Sequence, residues 1–181
     1  KEKKIKSVNV ISLDNFLKLN KDEFTVFIAI GYSSLNKKRE EFYHFFKKKN
    51  FKLTNFIHPL ASAYHNKIGD NNFIMDNVSI NPYTKIGSNN IFWSNSIIGH
   101  HNIVGNNNFF SGNSTISGNC KIKNNCFFGV NSSTKDNIDI GNFCFIDANQ
   151  YVAKRLKQKT FFNLNVNPKF KINSFQVFNL K

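Results

Sequence analysis

The 181-residue chain contains no apolar run close to the roughly 18 to 20 residues that cross a bilayer, so no membrane-spanning helix is expected. Its three cysteines lack metal-ligand spacing and fit a reducing compartment better than a disulfide framework. The first residues, Lys1-Glu2-Lys3-Lys4, have the charge of a signal peptide but no apolar stretch after it, and a cytoplasmic location is the expectation. Acidic side chains are scarce: 11 stand against 25 Lys and Arg, a net charge of +14. Such an excess raises nucleic acid, anionic lipid and phosphorylated ligands as partners. The Lys-rich stretches, Lys37 to Lys49 and Lys154 to Lys171, carry no DNA- or RNA-binding signature, so nucleic acid is not expected. A solvated surface, or a basic groove for the phosphates of a cofactor, accounts for the charge instead.

What the chain does have is a period. Stepping by six from Ile68 gives Ile74, Ile80, Ile86, Phe92, Ile98, Val104, Phe110, Ile116, Ile122, Phe128, Thr134, Ile140, Ile146 and Val152, with Thr134 the only polar member. Gly follows at Gly69, Gly87, Gly99, Gly105, Gly129 and Gly141. A period of six suits neither an amphipathic helix nor a long strand, but it suits short strands separated by identical turns. Three units make an 18-residue triangular coil, so this run predicts a mainly β fold, a parallel β-helix of about five coils, roughly 24 Å tall. Four residues after each hexad position stand small or polar side chains, among them Ser96, Asn102, Asn108, Ser114, Cys120, Cys126, Ser132 and Cys144. They suit the tight inner side of each corner, while Asn and Gly at the turns tolerate positive φ.

The coil length also predicts vertical neighbours. Phe92, Phe110 and Phe128 should stack as an internal ladder, and Cys126 and Cys144 should be buried thiols in adjacent coils. One outward column, Phe73, Ile91, Phe109, Phe127 and Phe145, is apolar, whereas its equivalents on the other faces are mostly polar, such as Ser79, Lys85, Thr115, Lys121, Ser133 and Asp139. That stripe predicts a subunit interface or a contact with the chain's own tail, and homo-oligomerisation through it is the expectation.

Before the prism, Phe24 to Gly31 reads as a strand, Leu35 to Lys49 as an amphipathic helix and Phe51 to Ile57 as a second strand. This β-α-β fragment resembles half of a small α/β domain, and His58-Pro59 marks the junction. No Gly-rich phosphate loop precedes it and Lys1 is not a start methionine, so part of that domain is expected to be missing. The chain therefore divides into an incomplete α/β segment (1–57), a β-helix (58–153) and a basic tail (154–181).

The hexads, together with Ile30-Gly31, Ile57-His58-Pro59, the run from Ile98-Gly99-His100-His101 to Gly105, and Ser114-Thr115-Ile116-Ser117-Gly118, resemble the bacterial hexapeptide-repeat sugar acetyltransferases. This family includes nucleotide-amino-sugar N-acetyltransferases and sialic-acid O-acetyltransferases. The resemblance runs over about residues 8 to 171. It implies a left-handed coil, a homotrimer with sites between subunits, acetyl-CoA as donor and a sugar or nucleotide-sugar acceptor. It also implies His100 as general base, a role that fits an imidazole at a solvent-accessible corner. Gly118, 18 residues on, should stack above His100 with an unobstructed N–H to hold the thioester oxygen. His101 stands where the family commonly has an acidic residue orienting the base. Phe109 stands where it often has a cofactor-contacting His. Val130 and Ala148 would line the pantetheine groove, and Val166-Asn167-Pro168-Lys169 loosely matches an ending that borders the cofactor. The family's Gly-rich sugar-nucleotide loop is absent.

Attack by a sugar amine is the first expectation, with O-acetylation of a sialic-acid-like sugar or a surface polysaccharide as the alternative. A non-catalytic scaffold is a third reading, in which His100 is one more polar turn residue. Zinc carbonic anhydrase, found on the same fold, needs three converging His ligands, and adjacent residues such as His100 and His101 are expected to diverge. His44, His58 and His65 are read as structural or exposed.

Overall fold

The computed structural model describes residues 3–63, 67–164 and 173–178, so His65 and the Val166–Lys169 segment lie outside the described residues. Two-residue strands fall into three parallel sheets of seven, five and five members. Ile91 pairs with Phe73 and Phe109, and Ile98 with Ile80 and Ile116, so the step of 18 residues holds through the middle of the stack. The architecture is a left-handed parallel β-helix. Its hexad side chains from Ile74 to Val152 are all buried, Thr134 included. Phe92, Phe110 and Phe128 stack as expected, with centroids 4.8 Å apart at each step and rings within 11° of parallel. Each fully buried Phe or Ile of this column contributes roughly 2 kcal/mol.

The stack is longer than the hexads indicate. Phe56–Ile57 pairs with Phe73–Ile74 at a step of 17, and Phe161–Phe162 with Phe145–Ile146 at a step of 16. About six turns form instead of five, and at each end a strand paired to the stack lies beyond the boundaries drawn at 57 and 153. A period of six cannot reveal rungs that depart from it.

The three faces differ in chemistry. An aromatic face runs through Phe73, Ile91, Phe109, Phe127 and Phe145, a neutral face through Ser79, Ile97, Thr115, Ser133 and Tyr151, and a basic face through Lys67, Lys85, Ile103, Lys121 and Asp139. Between faces the chain turns through one residue at positive φ, repeated every six positions from Asn71 (53°) to Asn149 (58°). Asn fills eleven of these fourteen corners, and Tyr83, His101 and Phe143 fill the others. Asn is suited to this conformation because its amide can bond locally. No Gly has positive φ, which corrects the turn role expected for it. Gly instead stands where coils approach: a Cβ on Gly129 would lie 2.5 Å from Ala148 N.

The inner small residues are buried as expected. Asn108 accepts from Cys126 N–H (2.8 Å) and donates to Lys123 O (3.0 Å), tying adjacent coils. The Ser96, Ser114 and Ser132 hydroxyls occupy the same inner role with no hydrogen-bond partner. Cys120, Cys126 and Cys144 are free thiols.

The N-terminal segment opens with a hairpin, β1 (Lys3–Ile5) and β2 (Val8–Val10), and a short helix α1 (Leu13–Phe16), none of which the sequence pattern announces. β3 (Thr25–Val26) then pairs in parallel with β4 (Lys52–Leu53) across helix α2 (Lys37–Lys48), the expected β-α-β with shorter strands. The expected first strand ends early because Ile28 N–H turns to the prism and bonds Asn71 Oδ1 at 2.8 Å. The expected second strand is divided, Phe56–Ile57 becoming a rung.

Helix α2 is fastened to the corner between the basic and aromatic faces. Glu40 accepts from Asn107 (2.9 Å) and Asn125 (3.0 Å). Arg39, 1% exposed, donates to the carbonyls of Ile30, Gly31, Asn89 and Asn108. Burial pulls its guanidinium down to about 9, with neighbouring Glu40 pushing it back up. This docking covers the aromatic column. Leu35 is fully buried against Ile91, Phe109 and Phe127, and the Tyr32 ring sits 5.0 Å from both phenyl rings. Phe178, after helix α3 (Ser174–Val177), packs 5.1 Å from Phe145. The stripe is thus occupied within the chain, so the expectation of self-association through it loses its physical ground.

Candidate active site

His100 and His101 stand at the corner between the neutral and basic faces. Both are exposed. Their Nδ1 atoms are 3.0 Å apart and their rings nearly perpendicular, so the adjacent imidazoles converge rather than diverge. In such a contact one Nδ1 carries the proton and the other accepts it. His101 holds its place in spite of φ 58°, where a bulky residue is strained by about 1 kcal/mol or more. Tyr83, one coil earlier and also at positive φ, stacks on it with centroids 4.8 Å apart. Two of the three corners that lack Asn therefore meet here. That interruption of the Asn series is the signal in the sequence that could have found Tyr83.

Gly118 lies directly over the His100 ring, as the 18-residue step requires. A Cβ there would fall 2.6 Å from Cε1 and 2.8 Å from Nε2, so glycine is what allows the imidazole to lie flat against the next coil. The N–H of Gly118 is not unobstructed, however. It donates to Asp136 Oδ1 at 2.7 Å, from the coil beyond, which corrects the expectation of a free donor. Asp136 stands 18 residues beyond Gly118, so the same step that sets Gly118 over His100 could have found it.

Phe109, Val130 and Ala148 do come together, in a groove of about 500 Å³ that also includes Trp93, Asp147 and Phe178. This groove follows the corner between the aromatic and neutral faces. The width of the neutral face separates it from His100, so one chain holds the two groups on different corners. Lys169 lies outside the described residues. Among those residues, no group of three or more His, Cys, Asp or Glu is placed to hold a metal ion. His44 is largely exposed and 3.9 Å from Glu40, and His58 accepts from Leu60 N–H.

Residues 67–100 match the family described as bacterial transferase hexapeptide (six repeats). The match takes in 34 of the 181 residues, and the six-residue period that it covers runs on through the stack to Val152. Among solved structures it is similar to a mutant perosamine N-acetyltransferase from Caulobacter crescentus in complex with CoA and GDP-perosamine. That match has a TM-score of 0.80 at 22% identity, over 87% of this chain and 75% of the other. The acetyltransferase domain of PglB from Neisseria gonorrhoeae with acetyl coenzyme A matches at 0.79 and 18%, over 87% and 76% of the two chains. WeeI from Acinetobacter baumannii matches at 0.69 and 18%, over the same shares. No curated protein matches the sequence. At these identities the likeness establishes the shared fold.

Proposed function

We propose that this protein transfers the acetyl group of acetyl-CoA to the amine of a nucleotide-linked amino sugar, with His100 as general base. The observation that carries the reading is the His100–His101 contact laid over Gly118 at a strained, exposed corner. The competent tautomer has His100 Nδ1–H donating to His101 Nδ1, leaving the His100 Nε2 lone pair free. The sugar amine attacks the thioester carbon, its proton passes to Nε2 and the C–S bond breaks to release CoA. His101 then accepts from the imidazolium, orienting it as a carboxylate would but without a carboxylate's charge. Oxyanion stabilisation by Gly118 N–H requires the Asp136 carboxylate to turn away. The structures of similar fold with CoA and GDP-perosamine support the choice of donor and acceptor class.

The groove at Phe109, Val130 and Ala148 suits the pantetheine arm, yet it lies one face away from His100. A homotrimer in which neutral faces turn inward brings the His corner of one copy to the groove of the next. Ile97 and Tyr151, 41% and 52% exposed on that face, are uncovered by the chain itself and supply apolar contact.

Incubation with acetyl-CoA and a panel of amino and hydroxyl sugars, free and nucleotide-linked, read by mass spectrometry, tests the proposal and separates N- from O-transfer. The engaged Gly118 N–H favours a second reading, a non-catalytic scaffold. Failure to bind CoA in calorimetry, with no acetylated product, would establish that reading instead.

A further inference from the structure

The basic face carries charge that the proposed chemistry does not use. Lys67 pairs in register with Lys85, at the roughly 4.8 Å spacing where like charges repel. Farther along, the face opens into a cavity of about 540 Å³ lined by Lys121, Lys123, Arg155 and Lys157, with Asp139 its single carboxylate. Four cations against one anion leave an excess of three positive charges. Among the described residues, none of the four takes part in an ion pair. Leu156 is what brings Arg155 and Lys157 here: it bonds to the Asp139–Gly141 rung at 2.9 to 3.0 Å, so the two side chains flank that rung.

We propose that this cavity is a binding site for a phosphate-bearing small molecule. Phosphate is the anion that matches the set. Its multiple charge answers the local excess, the Arg155 fork can engage two of its oxygens, and the lysines act as point charges around it. Asp139, Asn142 and Gln158, also in the lining, can take hydroxyl or amide groups of the molecule that carries the phosphate. The volume suits a sugar phosphate or a nucleotide, and a concave site favours these over a flat membrane or a duplex. Lys123, Gly141 and Gln158 lie toward the corner between the basic and aromatic faces. His100 and Gly118 occupy the opposite edge of this face, and the Phe109–Ala148 groove follows the third corner. The site is therefore separate from the proposed catalytic groups and does not rest on the acetyltransferase reading.

Calorimetry with inorganic pyrophosphate on the 181-residue chain, at about 20 mM salt, tests the assignment. Saturable binding is expected, weakened about tenfold or more by Lys123→Ala combined with Arg155→Ala. Removal of equal charge elsewhere, by Lys38→Ala with Lys48→Ala, should leave it unchanged, and both variants should keep the parent circular dichroism spectrum. Absence of binding, or equal loss in both double variants, overturns the site. Glucose 1-phosphate and uridine diphosphate then distinguish the two sources of phosphate, and tighter binding of either supports the proposal. If phosphatidylglycerol vesicles bind and pyrophosphate does not, the face is a membrane contact and the proposal fails. If CoA loses affinity in parallel with pyrophosphate in the Lys123/Arg155 variant, the cavity belongs to the cofactor and a separate site is disproved.

Discussion

Two corners of the same prism put one backbone geometry to opposite uses. At the corner between the basic and aromatic faces, Asn71, Asn89 and Asn107 donate one to the next, and Glu40 closes the series with Arg39 beside it. At the corner between the neutral and basic faces, Tyr83 and His101 interrupt the Asn series and leave two imidazoles exposed. The first corner binds a helix through a satisfied, buried amide ladder. The second gives up the conformational preference of Asn and presents titratable groups to solvent. Exposed, strained side chains mark the second corner, while the first, which holds the strained Phe143 at one position, carries the satisfied polar contacts, a division consistent with chemistry at one and assembly at the other.

The sharpest break between them is kinetic. His100→Ala should lower kcat by about 100-fold or more with little change in thermal stability, whereas Asn107→Ala should do the reverse. Full turnover in His100→Ala with a well-bound acceptor would remove the base assignment. On the assembly side, Arg39→Ala takes a donor from four carbonyls, those of Asn89 and Asn108 at buried contacts, and should destabilise the chain by about 3 kcal/mol in urea unfolding. Asp136→Ala frees Gly118 N–H, and kcat should rise by up to about tenfold; a fall would show that the carboxylate itself serves the reaction. His101→Asn restores the residue that the corner prefers. It should gain about 1 kcal/mol of stability while losing activity, and a stability loss would mean that the stack on Tyr83 outweighs the strain.

The smallest effect concerns pH and the docked helix. Burial alone would raise the Asp70 carboxyl, but hydrogen bonds from Lys47, Tyr43 and Ser88, with the Lys47 charge, hold it below its ordinary value. A carboxylate depressed in the folded state stabilises it above the unfolded value, and that contribution fades as pH falls through the folded one. The melting-temperature gap between the parent and Asp70→Asn should therefore be constant near neutrality and close below about pH 4. A gap that persists in acid would show that Asp70 acts through packing.

Much of this architecture is legible because its period is rigid: a side chain 18 residues away must be a vertical neighbour, which gives the Phe92 ladder and the buried Cys126 and Cys144 directly. The same rule places Gly118 over His100. It fails for elements outside the period. The rungs at Phe56 and Phe161 come at steps of 17 and 16, and Arg39 and Glu40 look like charges of a solvated helix until the prism is set against them. The direction of the aromatic column is readable from alternation along each strand. Its cover is readable in part: contact with the tail is one of the two expectations, met by Phe178, whereas the cover by Leu35 of the N-terminal segment is not announced. His100 is reached through family resemblance, and Asp136 through the 18-residue step from Gly118, the step at which Asn106 and Asn124 likewise accept from the N–H groups of Ser88 and Asn106.

The off-step rungs have a consequence for the ends of the stack. A parallel stack that kept perfect registry to its last strand would offer a ready template on which further molecules could add end to end, as in fibre growth. Here the terminal rungs at Phe56 and Phe161 are set by loops one and two residues short. The departure from 18 interrupts, at both ends of this sheet, the registry that end-to-end addition would copy.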